Sequence, residues 1–394
     1  MANDKPYYSK NPIASEQALA KCLGVTPERL LLIAKNAAKS YIEFEIKTGK
    51  DKNNQKTRVL HEPKPFLKSI QKKINREIFE NVVYPAYLHG GLKERDYVTN
   101  VAVHAGAKTI IGLDIQNFYP SIKKAHVLNI FTQLCKFPPN ISNLLTDLVT
   151  LDGNVTQGAC CSSYIANLIF FNTEYSHISK FRSKGLTYTR LLDDVTISSK
   201  TALSNQQIEK AIESVASLFT KFDLNLHDGK TKIEQSSNPK STFEVTGLWA
   251  KHGNPKIRKK DRHYVRHLVF ICQKEFEKDS TSPKYHELWN MTSGKVAVLT
   301  RLKHAQSKTL RKKLSLILPT YDADASAKLQ RLAFKLCQTP NEETLNPGKL
   351  KTYNKLKYHF GIVARTEKAT AKKWKSLLDI KFKSSADVVR REMA

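Results

Sequence analysis

Three aspartates stand where a chain can gather carboxylates. Asp114 closes the short apolar run 109–115 (TIIGLDI), which reads as a buried strand. Asp193 and Asp194 fall at a turn inside 186–199 (LTYTRLLDDVTISS), which reads as two strands folded back on each other. A strand end beside a β-turn brings carboxylates from distant sequence onto one sheet edge. Their chemistry suits magnesium, which takes carboxylate oxygens together with substrate phosphate. Two such ions about 4 Å apart activate an attacking hydroxyl and stabilise a leaving pyrophosphate. An Asp-Asp pair in a turn is by itself a weak pointer, because aspartate favours turns in any protein.

The elements that must hold these residues follow from hydrophobic periodicity. Residues 14–38 alternate at helical spacing, with Ser15 as an N-cap, and the lysine-rich stretch 47–56 reads as a loop or hairpin tip. After Pro63 and Pro65, Leu67, Ile70, Ile74 and Ile78 form one helical stripe, with Lys68, Lys72, Lys73 and Arg76 largely off it. Helices are expected over 123–135, from Gly158 through Phe171, and over 206–222, with short strands at 230–234 and 243–250. This order predicts an α+β chain with a split βαβ sheet and helices on one face. From about residue 260 the pattern is almost wholly helical.

The 394 residues carry 65 Lys+Arg against 36 Asp+Glu, a net charge of +29. With 40% hydrophobic residues the chain can bury a core, which excludes wholesale disorder and a fibrous repeat. Residues 1–250 hold 32 basic and 23 acidic side chains, and residues 251–394 hold 33 and 13. The positive field is therefore concentrated in the C-terminal helices, whose cationic faces suit a phosphate backbone. No apolar run reaches the roughly 18 to 20 residues of a membrane span, and the polar N-terminus lacks the apolar core of a signal peptide. A cytoplasmic protein without membrane contact is expected. Six cysteines without metal-ligand spacing indicate neither a zinc site nor a disulfide scaffold.

The stretch 114–122 (DIQNFYPSI) resembles the first catalytic palm motif of reverse transcriptases. That resemblance implies that Asp114 and the carbonyl of Ile115 hold metal, and that Tyr119 is the gate excluding a ribose 2′-hydroxyl. Further stretches resemble the family's motifs in its order. Thr156-Gln157-Gly158-Ala159, followed by Ser162, Ala166, Asn167 and Leu168, is similar to the QG motif packed on nucleotide and template. Residues 189–194 (TRLLDD) resemble the catalytic DD hairpin, and 225–232 (NLHDGKTK) the palm lysine motif, with Lys230 meeting the departing pyrophosphate. Arg58, followed by Pro63, Leu67, Lys68 and Gln71, resembles the first fingers block. Arg58 is then the candidate grip on the incoming triphosphate, with Lys68 second.

Two short elements point to the retron-like, defence-associated branch: Asn100-Val101-Ala102-Val103-His104 looks like its NAxxH element, and Val245-Thr246-Gly247 is similar to its VTG triplet. The resemblance covers roughly residues 57–250. Asn100 and His104 are assigned an architectural or RNA-contact role, and Trp249 is a candidate for stacking on bases, with Lys259 and Lys260 as RNA contacts. The chain departs from the family at Leu191-Leu192, where an aromatic and an alanine are usual, and at Cys160-Cys161, which replace a proline-containing segment.

The resemblance implies a right-hand polymerase: an N-terminal helical extension at 1–56, fingers at 57–108 with part of 123–155, palm at 109–250, and a helical basic thumb and C-terminal RNA-binding region at 251–394. It implies RNA-directed DNA synthesis from dNTPs with two Mg²⁺ ions, Mn²⁺ being a substitute. The template would be a structured noncoding RNA, the product DNA on a primer, and the setting antiphage defence. The length leaves little room for a fused effector, so a separate effector or a second polymerase subunit is a candidate partner. Two rivals stay open at this point: an altered polymerase with untemplated or unusually templated synthesis, and an inactive RNA-binding scaffold.

Overall fold

Ile110, Ile111 and Leu113 suit extended backbone, and all three are buried. Their strand is interior to the main sheet of the computed structural model, which describes residues 4–48, 56–340 and 346–393. In chain order the strands are β1 (Tyr7–Tyr8), β2 (Tyr41–Thr48), β3 (Lys56–Pro63), β4 (Val82–Val83), β5 (Leu88–His89), β6 (Thr109–Asp114), β7 (Leu186–Leu191), β8 (Asp194–Ser199), β9 (Lys232–Gln235), β10 (Glu244–Val245) and β11 (Leu248–Trp249). The main sheet has the order β5-β7-β8-β6-β9, with β5 parallel to β7 and the other pairs antiparallel.

Side chains alternate across a strand, so the register sorts the sheet into two faces. Leu113 pairs with Val195, Ile111 with Ile197, and Tyr188 with Ile197. These residues enter one core with Ile165, Phe170, Phe181 and Phe219 from the helices. The other face carries Gly112, Asp114, Asp194 and Thr196 and borders a cleft of about 310 Å³.

The chain divides into two units, one running to Lys256 and one from Ile257 to Glu392. In the first, the stripe of Leu67, Ile70, Ile74 and Ile78 is fully buried, each side chain stabilising by about 1.5–3 kcal/mol. Lys73 departs from the sequence expectation: it is buried too, and its ammonium donates to Leu23 O at 3.0 Å. In the second unit all regular structure among the described residues is helical, around a core that includes Val265, Val269, Val296, Leu299, Leu310 and Leu314.

Several expectations are corrected. The N-terminal 56 residues are not helical throughout, because Tyr41–Thr48 pairs antiparallel with Lys56–Pro63. The expected loop tip between them lies mostly outside the described residues. The helix expected to open at Gly158 begins at Ser162 and ends at Leu168. Gly158 has φ 111°, and a Cβ there would sit 3.1 Å from His61 O, so the segment before the helix is a loop pressed on β3. The 243–250 strand is two short strands folded about Thr246-Gly247. All six cysteines are free thiols, and burial pushes Cys161 far up from the usual thiol range. No described helix is long and apolar enough to cross a membrane.

Candidate active site

Asp114 ends β6 and is the register partner of Asp194, the first residue of β8. The backbone fixes this end of the sheet on both sides: Ile115 N donates to Asp193 O at 3.1 Å, His227 N to Asp114 O at 2.8 Å, and Gln116 N to Asn225 O at 2.9 Å. Because Leu191 pairs with Asp194, the hairpin turn is Leu192-Asp193, one residue earlier than the sequence suggested. Leu192 has φ 60°, a left-handed conformation that glycine normally supplies at the first position of such a turn. Gly90, itself at φ 82°, lies beneath: a Cβ there would come within 2.9 Å of Leu191 and 3.1 Å of Leu192.

The turn is braced from both faces of the sheet. On the helical face Arg190 is completely buried with Glu174 as its counter-ion, Nε to Oε1 at 2.6 Å and Nη2 to Oε2 at 2.9 Å. Loss of either partner alone leaves an unpaired buried charge, costing about 3–5 kcal/mol. On the opposite face His104 bridges Thr189 of β7 and Ser198 of β8.

Burial raises the carboxyl of Asp193 above the usual range, with Asp114 adding repulsion. Asp194 is pushed up to about 6, chiefly by burial and then by the charges of Asp193 and Asp114. Lys230 answers part of this charge: its ammonium lies 2.7 Å from Asp114 Oδ1 while the lysine side chain stays half exposed. Mutually repelling carboxylate oxygens beside one displaceable ammonium fit a divalent cation. Among the described residues no three or more acidic, histidine or cysteine side chains form a ready-made metal cage.

The other expected residues divide into three groups. Arg58 is exposed on β3, and its charge offsets a small part of the burial-driven rise at Asp193. Tyr119 is half-buried, and burial raises its hydroxyl above the usual range, with the charge of Asp193 adding to the rise. The Gln157-Gly158 loop joins β3 through His61 N to Gln157 O at 3.0 Å. Lys68 is held by Glu62 at 2.5 Å. These residues share the first unit with the aspartates. Lys259 and Lys260 are exposed on the first turn of the helix Lys259–Lys278, in the second unit. Trp249 is half-buried in β11, edge-on to His252. For Asn100 and His104 the RNA-contact alternative is corrected: both are fully buried and hydrogen-bonded to the hairpin strands, which leaves the architectural one.

Sequence reasoning missed Arg190, Glu174 and Gly90. The available signal was a charged residue alternating with Leu186 and Tyr188 on the inward side of an otherwise apolar strand.

Comparison with known proteins adds an independent line. The reverse transcriptase (RNA-dependent DNA polymerase) family profile matches residues 49–253, just over half of the chain. The chain belongs to the reverse transcriptase family. It is 46% identical over 375 residues to the Retron Se72 reverse transcriptase of Salmonella heidelberg, spanning 95% of this chain and 98% of that protein. It is 32% identical to the Retron Ec48 reverse transcriptase of Escherichia coli, over 80% of this chain and 79% of that one. This retron-like reverse transcriptase is an RNA-directed DNA polymerase with the right-hand polymerase fold. An RNA template, a DNA product and divalent metal come with that membership.

Proposed function

We propose that Asp114, Asp193 and Asp194, with the carbonyl of Ile115, hold two magnesium ions, which manganese can replace. The observation that supports this most is the register pairing of Asp114 with Asp194 beside the turn bearing Asp193. When bound, the metal lowers the pKa of the primer hydroxyl and neutralises charge at the departing pyrophosphate. Lys230, poised on Asp114, supplies the leaving group with a cation or a proton. Arg58 grips the triphosphate with a fork suited to phosphate oxygens, and Lys68 is a second cation for it. The Tyr119 ring walls the sugar position, so deoxyribose fits and ribose does not. Gln157 and Gly158 line the nucleotide and template.

In this reading residues 57–108, with part of 123–155, are fingers. Residues 109–250 are a palm built on a split βαβ sheet, and the basic helices of 251–394 are thumb and RNA-binding region. The template is one structured noncoding RNA, copied in the cytoplasm as part of antiphage defence with a separate effector or second subunit. Similarity to retron reverse transcriptases supports this setting.

Sequencing the nucleic acid that co-purifies with the protein tests it, together with synthesis from dNTPs or NTPs with and without Mg²⁺. One defined RNA, together with DNA copied from it, is expected. A mixture of unrelated RNAs, or synthesis from NTPs, contradicts the reading.

A further inference from the structure

Arg190 lies three residues before Asp193, yet its side chain points to the sheet face away from Asp114 and Asp194. Every N–H of its guanidinium is engaged. Nε and one Nη2 proton go to Glu174, Nη1 donates to Ala166 O at 2.9 Å and Leu192 O at 3.1 Å, and Nη2 to Asn167 O at 3.1 Å. Phe170 covers it, 4.9 Å from the ring centroid. Glu174 is fixed in turn by the Tyr188 hydroxyl at 2.8 Å.

One of these acceptors, Leu192 O, belongs to the left-handed residue next to Asp193. A leucine does not choose that conformation, so an outside contact must hold it. The other two carbonyls end the helix Ser162–Leu168, which follows the Gln157-Gly158 loop. We propose that Arg190, with Glu174 as its counter-ion, is a positioning residue of the polymerase reaction. It registers the Leu192-Asp193 turn against that helix and so orients the Asp193 carboxylate toward the metal. This rests on the reading of Asp193 as a metal ligand. The ion pair is not demanded by stability alone, since apolar side chains of similar volume often replace a buried pair without loss. Only a planar fork reaches a carboxylate and three separate carbonyls at once; lysine has a single nitrogen.

The test uses Arg190→Lys and the pair Arg190→Met with Glu174→Gln, which leaves no buried charge unpaired. Thermal midpoint, Mn²⁺ affinity by electron paramagnetic resonance without nucleotide, and kcat and KM for dNTP are measured beside Asp193→Ala. The double variant should stay folded, lose about 10- to 100-fold in kcat and in Mn²⁺ affinity, and keep KM for dNTP within about twofold. Arg190→Lys should not restore the rate. A folded double variant with wild-type kcat and Mn²⁺ affinity sinks the inference while an inactive Asp193→Ala leaves the site reading standing. An active Asp193→Ala sinks the site reading itself. Failure of both Arg190 variants to fold assigns the pair to stability and also overturns the inference.

Discussion

His104 Nε2 lies 2.6 Å from Thr189 Oγ1, and Nδ1 of the same ring lies 2.7 Å from Ser198 Oγ, so one imidazole ties together both strands that flank the Asp193 turn. The Thr189 hydroxyl spends its proton on Asn100 Oδ1 at 2.5 Å. It must therefore accept from Nε2–H, which leaves Nδ1 to accept from Ser198. The network defines a neutral ring of one tautomer.

Acid should unfold the enzyme through this ring. Burial, followed by the charges of His89 and Lys200, holds His104 down to about 3, and burial holds His89 down to about 4. Both folded values lie below the unfolded value, so the unfolded chain binds more protons as pH drops. Stability is fully present above about pH 6.5 and falls toward pH 4 by about 1.4 kcal/mol per pH unit for each ring. Urea midpoints between pH 7 and 5 measure the slope, and His104→Gln should remove one ring's share. An unchanged slope in that variant contradicts a buried neutral His104.

Gly158→Ala should destabilise the loop by about 1–3 kcal/mol. The new methyl meets His61 O in a conformation that only glycine adopts freely. Because the loop and β3 meet there, KM for dNTP should rise along with the loss in melting temperature. A normal KM would separate this loop from nucleotide binding.

Much of the site was legible because its chemistry is local in sequence. A carboxylate after an apolar run and an Asp-Asp pair inside a hairpin announce their positions through strand periodicity, and the structure pairs Asp114 with Asp194. The isoleucine stripe of 67–78 was equally plain, since helical spacing alone selects a buried face. Long-range polar partnerships were not legible. Nothing in the order of residues says that Arg190 meets Glu174, or that the histidine at 104 turns inward to Thr189 and Ser198; tertiary packing decides which polar groups are buried. The Gly158 loop reads as helix in the sequence because apolar content continues through it, while its left-handed backbone has no periodic signature.

Lys230→Ala removes the ammonium from Asp114 and from the pyrophosphate path. The rate of the chemical step should fall about 10²- to 10⁴-fold, as for loss of a general acid, with RNA affinity unchanged. Rapid-quench single-nucleotide addition reads this directly, and a full-rate variant would remove Lys230 from the reaction.

Replacing Tyr119 by alanine should admit ribonucleotides. The ratio of kcat/KM for dNTP over NTP should drop about 10-fold or more while dNTP addition persists. Unaltered discrimination would place the sugar gate elsewhere.

Binding of RNA by the cationic C-terminal unit should weaken steeply with salt. If about six phosphates are neutralised, log K against log salt should have a slope of about −4 to −5, and Lys259→Gln with Lys260→Gln should flatten it by about 1 to 2. A slope near zero would remove the backbone grip.

The most direct test of the metal-site account is single-turnover DNA synthesis by Asp193→Ala on the enzyme's own co-purified RNA with Mg²⁺ and dNTPs. A folded variant that still binds the RNA with wild-type affinity should give no extension above background. Extension at a rate close to that of the unmodified enzyme would contradict it.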